Sequence, residues 1–318
     1  MTVTCDNPDI AALLPRLAAT DPGVRRIALI ELADLGEPEA LPWLTAALAG
    51  DSDPSVRLEA AARLEAWEEP AVVQALCEAL ADRERAVGEA AAQSLAQLKS
   101  SEAGALLLPW AHHSEAFVRV SALRALRELR LPASAEVALA ALADPAAAIR
   151  REAVGILGWL HHTPAVPALA QRLAEDEDDQ VRRAAAGALG FAAQPAVVQA
   201  LQGALGDPAW AVREEAATTL GKVGDASAGA ALVQALADGY WQVRLRAARA
   251  LGRLKLAEAQ PALISLLGHG ISNLRKEAAL ALGELGDELA VSALQAAAED
   301  SDPEVRKAVR IALVQLQR

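Results

Sequence analysis

DPAWAVREEAATTLGKVGD, Asp207 to Asp225, decides the fold, because the same order of residue types returns along the chain. Its centre is an apolar-Arg pair, Val212-Arg213, followed three residues later by Ala216 and seven later by Leu220. A second clear copy is SDPEVRKAVRIAL, Ser301 to Leu313. The pair recurs as Val24-Arg25, Val56-Arg57, Val118-Arg119, Ile149-Arg150, Val181-Arg182, Val243-Arg244, Leu274-Arg275 and Val305-Arg306, with Val87-Gly88 in the one gap. Successive copies lie 31 or 32 residues apart. A fixed period of this length marks a repeat architecture and has to be read before any single element.

Counting from each Arg position, the third residue on is Ala in nine of ten copies, from Ala28 to Ala278, with Val309 in the last. The seventh is Leu in all ten, from Leu32 to Leu313. Offsets of three, four and seven fall on one stripe of a helix, so each copy is read as a helix with an inward Ala and an inward Leu. A first helix is expected before it, for instance over Ile10–Ala18, Ala40–Ala49, Ala71–Ala81, Ala196–Gly206 and Ala262–Gly268. Between them lies an acidic turn. Asp six residues before the Arg (Asp51, Asp82, Asp144, Asp176, Asp207, Asp238, Asp300), or Asp-Pro nearer to it (Asp21-Pro22, Asp53-Pro54, Asp302-Pro303), suits an N-cap with proline in the first turn. Gly36, Gly224 and Gly286 are expected to end second helices, with Glu68, Lys99 and Arg130 in their place elsewhere. Pro42, Pro167 and Pro261 fall early in first helices, where a missing N–H costs little.

A first helix, an Asp-containing turn, Val-Arg and then Ala-Ala-x-x-Leu-Gly resembles the HEAT repeat, in particular the short bacterial variety called phycobilisome-lyase-type HEAT-like repeats. The resemblance runs from about residue 8 to 318. It implies an all-α fold, an α-α superhelix or solenoid of about ten two-helix repeats forming a single domain over 1–318. The repeats fall at about 7–36, 38–68, 70–99, 101–130, 132–162, 163–193, 195–224, 226–255, 257–286 and 288–318. One helix pair cannot bury its apolar face alone, so neighbouring pairs stack. The recurring Arg25, Arg57, Arg119, Arg150, Arg182, Arg213, Arg244, Arg275 and Arg306 are then assigned to a structural ladder. Each guanidinium is expected to bond turn carbonyls and an Asp of its own or the adjacent repeat. Gly88 breaks the series, so repeats two to four should be the least regular.

Composition agrees with this reading. The 318 residues are 53% apolar but only 3% aromatic, so the core is built from Ala, Leu and Val, residues that suit helices more than sheets. No apolar run is long enough to cross a bilayer, and Met1 to Asp9 lacks the basic and apolar regions of a secretory leader, which points to a cytoplasmic location. Cys5 and Cys77 form no Cys-x-x-Cys pair, and the five histidines, including His112-His113 and His161-His162, lack the i, i+4 spacing of a helical ligand pair. No metal, no cofactor and no catalytic motif is therefore expected. A net charge of −12 opposes nucleic-acid binding.

The resemblance also implies that the helix starting at Val-Arg lines the concave surface. Its outward positions are three and two residues before the Arg and one, two, five and nine after it. In the middle repeats these slots hold Phe117, Arg124, Arg151, Trp159, Arg183, Phe191, Trp210, Trp241, Arg246, Arg249 and Arg253. Aromatic and Arg side chains are enriched at interface centres, so these residues are the candidate partner-binding groove, with the arginines open to an acidic or amphipathic segment. The expected function is that of a non-enzymatic adaptor or assembly scaffold. The alternative that the resemblance brings is a phycobilin-lyase-like or tetrapyrrole-handling chaperone, with Arg against propionates and aromatics against the rings.

Overall fold

The computed structural model describes residues 6–317, and every regular element among them is helical. Helix pairs follow one another ten times, from Pro8–Leu17 with Pro22–Asp34 to Val291–Ala296 with Pro303–Leu316, the all-α solenoid that the period implies. Packing divides the repeats into two compact units, one ending at Leu160 and the other beginning at His161. No described helix is long and apolar enough to cross a membrane.

The stripe read from the sequence is the core of each unit. The residue three places after the Arg position is 0% exposed in all ten copies, Ala28 to Val309. The Leu seven places after it is buried in nine copies and half-buried as Leu313. Burying such a side chain is worth roughly 2 kcal/mol, so one Leu per repeat is a large part of each repeat's stability. First helices start where proline removes an N–H that has no partner anyway, as at Pro70–Ala79 and Pro195–Ala204.

Second helices approach one another closely. A Cβ built on Gly221 would lie 2.9 Å from the Cα of Ala250; on Gly252, 2.7 Å from that of Ala281; on Gly283, 2.7 Å from that of Ala312. These glycines are the Gly of the Leu-Gly pair. They stand inside helices at points of contact, not at repeat ends.

Helix ends depart from expectation in two ways. Asp51 does not cap the helix Pro54–Arg63; Asp53 does, accepting from Ser55 N at 2.9 Å, while Asp51 accepts from the N–H of Asp53. The Asp six residues before the Arg stands two residues ahead of the N-cap, too early to reach the orphan N–H groups of that helix. At the other end, Gly224 and Gly286 take φ of +77° and +81°, and Arg130 and Lys255 adopt the same left-handed conformation at 51° and 52°. Glu68 and Lys99 do not, because their helices stop early, at Arg63 and Leu95. Glu68 instead accepts the main-chain N–H groups of Lys99 and Ser100 at 2.7 and 2.8 Å. Repeat four is irregular as expected: its first helix is split into Ser101–Ala105 and a 3-10 turn, Leu108–His112.

Candidate functional site

The recurring arginines form the ladder, and in six rungs the carboxylate partner stands in the next repeat. Arg57 donates Nε and Nη2 to Asp82 at 2.7 and 2.9 Å, and Nη1 to the Asp51 carbonyl at 2.8 Å. Arg25–Asp51, Arg119–Asp144, Arg182–Asp207, Arg213–Asp238 and Arg275–Asp300 repeat the geometry. Each Asp also accepts the N–H two residues on, so it ties a guanidinium to a turn. The Arg57 guanidinium hydrogen-bonded to Asp82 holds that carboxyl below its ordinary value. Burial pushes Asp238 upward, but Arg213 and the Tyr240 N–H more than offset it. Arg150 donates to the carbonyls of Asp144 and Pro145, and Arg306 to those of Asp300 and Ser301.

Two rungs differ. Arg244 makes no ion pair with a carboxylate among the described residues; its Nη1 lies 3.0 Å from Nε2 of His269, whose Nδ1 takes the Ile271 N–H at 3.0 Å. At Gly88 the Arg is missing, and its partner position, 25 residues on, holds His113, which accepts the Glu115 N–H. The space beside Gly88 is filled by Phe117, whose Cε1 would sit 3.1 Å from a Cβ there, with the Arg85 guanidinium 3.8 Å from the ring centre.

The candidate groove residues thus separate by environment. In the first unit, Phe117 fills the gap in the ladder. Arg124 and Arg127 converge on Glu152, a carboxylate only 3% exposed, at 3.3 and 2.5 Å. Arg151 is exposed, and Trp159 is 56% exposed with the Arg130 guanidinium 4.5 Å from its ring. In the second unit, Phe191 stacks on His161 at 5.3 Å and Trp210 on Tyr240 at 5.7 Å, both packed at turns. Arg183 lies 3.9 Å from Glu215, Arg246 bonds Glu214 at 3.0 Å, and Arg249 grips Glu277 with two bonds of 2.7 Å. Arg124, Arg183, Arg246 and Arg249 are therefore each tied at one edge to the fold, because an acidic residue one or two places after the neighbouring ladder Arg lies within reach, while the rest of each guanidinium stays at the surface. Arg253 is exposed and makes no ion pair among the described residues.

One cleft of about 540 Å³ opens on this face of the second unit. It lies over the second helices of repeats seven, eight and nine, Trp210–Val223, Trp241–Leu254 and Ser272–Leu285. Trp241, 36% exposed, with Leu245 and Leu280 makes its apolar wall, and Arg246, Arg249 and Lys276 oppose Glu214 and Glu277. Gln242 Oε1 is buried in its lining without a hydrogen-bond partner. Gln242, Leu245, Lys276 and Leu280 were missed from sequence although they occupy the outward offsets, because only aromatic and Arg residues were selected there.

Elsewhere the chemistry is bland. Burial pushes the Cys77 thiol up to about 12, so it is no nucleophile at neutral pH, and Cys5 lies outside the described residues. Among the described residues no group of three His, Cys, Asp or Glu is placed to hold a metal ion.

The sequence matches the family described as HEAT repeats over residues 10–96, 73–158, 104–189, 166–240 and 229–314. No curated protein sequence matches it. Among solved structures, an engineered protein is 24% identical with a TM-score of 0.58, over 98% of this chain and 100% of that one. Yeast importin-beta (Kap95p) is 16% identical with a TM-score of 0.64, over 96% of this chain and 50% of its own. Kap121p bound to Nup53p is 13% identical with a TM-score of 0.70, over 96% and 41%. This chain therefore spans half or less of those two importin-type chains, and at such identities the likeness is one of fold.

Proposed function

Because this chain belongs to the HEAT-repeat family, we propose that it is a protein-binding scaffold, not an enzyme, engaging its partner through the exposed faces of its second helices. The observation that carries the reading is a partition of charge. Second helices hold 23 of the 30 Lys and Arg residues but 12 of the 42 Asp and Glu, a balance of +11 against −23 for the rest. Six ladder arginines are matched by turn carboxylates, yet the second helix of repeat eight keeps Arg246, Arg249 and Arg253 and has no acidic residue of its own. An acidic or amphipathic partner segment is drawn to such a face, while the acidic remainder keeps the protein soluble. Kap121p, which shares the fold, is seen bound to Nup53p, and a protein partner here is in keeping with that. The finer kinship with phycobilisome-lyase-type repeats, a single ten-repeat domain and a cytoplasmic location belong to the same proposal.

Affinity capture followed by mass spectrometry tests it. Replacing Arg151, Trp159, Trp241 and Arg253 together by Ala removes exposed side chains that carry no ion pair among the described residues, so helical content and the unfolding midpoint should stay nearly unchanged. Partner capture should be lost. Undiminished capture of the same partners by this variant would remove the second-helix faces from the function.

A further inference from the structure

The cleft at Trp241 has three features that a generic charged surface lacks. Its cations are only partly used: Arg246 bonds Glu214 through Nε alone, and Arg249 bonds Glu277 through Nε and Nη2, leaving both Nη groups of Arg246 and Nη1 of Arg249 without a partner among the described residues. Lys276 reaches only a distant carboxylate, Glu304 at 3.5 Å. Beside these cations, Trp241 and Leu280 offer apolar surface, and Gln242 Oε1 is a buried acceptor facing no donor. An acceptor buried without a donor is destabilising, so a ligand N–H that reaches it is favoured.

Free donors, an apolar wall and a free acceptor, side by side, match a peptide main chain carrying an acidic and an apolar side chain. We propose, building on the scaffold reading above, that this cleft seats an extended acidic segment of the partner protein. One Asp or Glu carboxylate lies across the free Nη groups of Arg246 and Arg249 with Lys276 beside it. A neighbouring apolar side chain covers Trp241 and Leu280, and a main-chain N–H is donated to Gln242 Oε1. Glu214 and Glu277 at the same cleft hold off a nucleic-acid backbone, whose successive phosphates need uninterrupted cations. A basic peptide meets three cations against two carboxylates that are already paired with Arg246 and Arg249. The volume, about 540 Å³, suits a short segment and not a folded domain.

The test is selection of a phage-displayed random dodecapeptide library on the full chain, followed by fluorescence anisotropy of the enriched peptides. Enriched sequences should carry Asp or Glu next to a Leu, Ile, Phe or Trp. Their affinity should fall at least tenfold in Arg246→Leu and several-fold in Gln242→Leu, which keeps the side-chain size and removes the acceptor. Arg83→Leu, at an exposed position between helices of the first unit, should leave it unchanged. No enriched peptide, enriched peptides without an acid, or acidic peptides indifferent to both cleft variants would each overturn the proposal. Acidic peptides that respond to Arg151→Leu and not to the cleft variants sink the cleft alone and leave the scaffold reading standing. Loss of both readings would show as no peptide together with partner capture that survives the quadruple Ala variant.

Discussion

His269→Asp should stabilise the protein, although it adds one more negative charge to a chain already at −12. In the other rungs an Asp takes two guanidinium N–H groups and one main-chain N–H, for example Arg213 at 2.6 and 3.0 Å and the Tyr240 N–H at 2.8 Å on Asp238. His269 faces a donor at each ring nitrogen, Arg244 Nη1 and the Ile271 N–H. A neutral imidazole has one bare nitrogen and a protonated one has none, so at least one of these contacts always sets N–H against N–H. Arg244 has turned to compensate, giving Nε to the Asp238 carbonyl at 2.5 Å. A carboxylate restores two charge-assisted bonds and the turn bond. Bonds of this kind are worth about 1.5–3 kcal/mol each; discounted for the side-chain exposure of 13% and 11% at the Arg213–Asp238 rung and for partial loss of the present Arg244 contacts, the expected gain is about 1–2 kcal/mol. For a unit of this size that raises the melting midpoint by roughly 2–8 °C. Circular dichroism melts at pH 7 measure it, with His269→Asn as control: its amide can accept the Ile271 N–H but brings no charge, and should gain much less. An unchanged or lower midpoint for His269→Asp would refute the assignment of residue 269 to the ladder.

Leu220→Ala, at a side chain 0% exposed, should cost about 2–5 kcal/mol in urea unfolding, whereas Trp210→Ala, which gives up a ring stack at a turn, should cost clearly less; equal losses would make Trp210 a core residue. Gly252→Ala forces a Cβ to within 2.7 Å of the Ala281 Cα and should destabilise by about 1–3 kcal/mol, while Gly50→Ala, with nothing within 4 Å, should be neutral or slightly stabilising; a harmless Gly252→Ala would contradict the close helix contact. The Asp82 and Asp300 carboxyls are held below their ordinary values by hydrogen bonds from Arg57 and Arg275. A folded value below the unfolded one means stability present above the unfolded carboxylate range and lost as pH falls through the folded value, so the urea midpoint should hold down to about pH 5 and drop below about pH 4. Asp82→Asn should flatten part of that drop, and an identical acid profile would disprove the contribution.

The helical pairs, their period and their buried positions could be read in the sequence because they are local. An Ala and a Leu three and seven residues after an Arg lie on one face of any helix, whatever surrounds it. The Arg ladder was legible for a related reason, since a residue repeated at a fixed step meets the same neighbour each time. Even the broken rung left a trace, Gly88 with His113 at the partner position 25 residues on.

What the sequence could not decide is set by contacts between repeats. Whether an Arg on a second helix is held depends on which side chain the adjoining helix presents to it: Glu277 holds one edge of Arg249, and among the described residues no ion pair holds Arg253. The same holds for the aromatics. Trp210 and Trp241 occupy the same offset from their arginines, yet Tyr240 covers one ring while the other remains in the cleft wall. Offsets within a helix fix direction, but stacking rotates and shifts each helix against the next. Only the tertiary structure therefore determined which cations are tied into the fold and which stay at the surface.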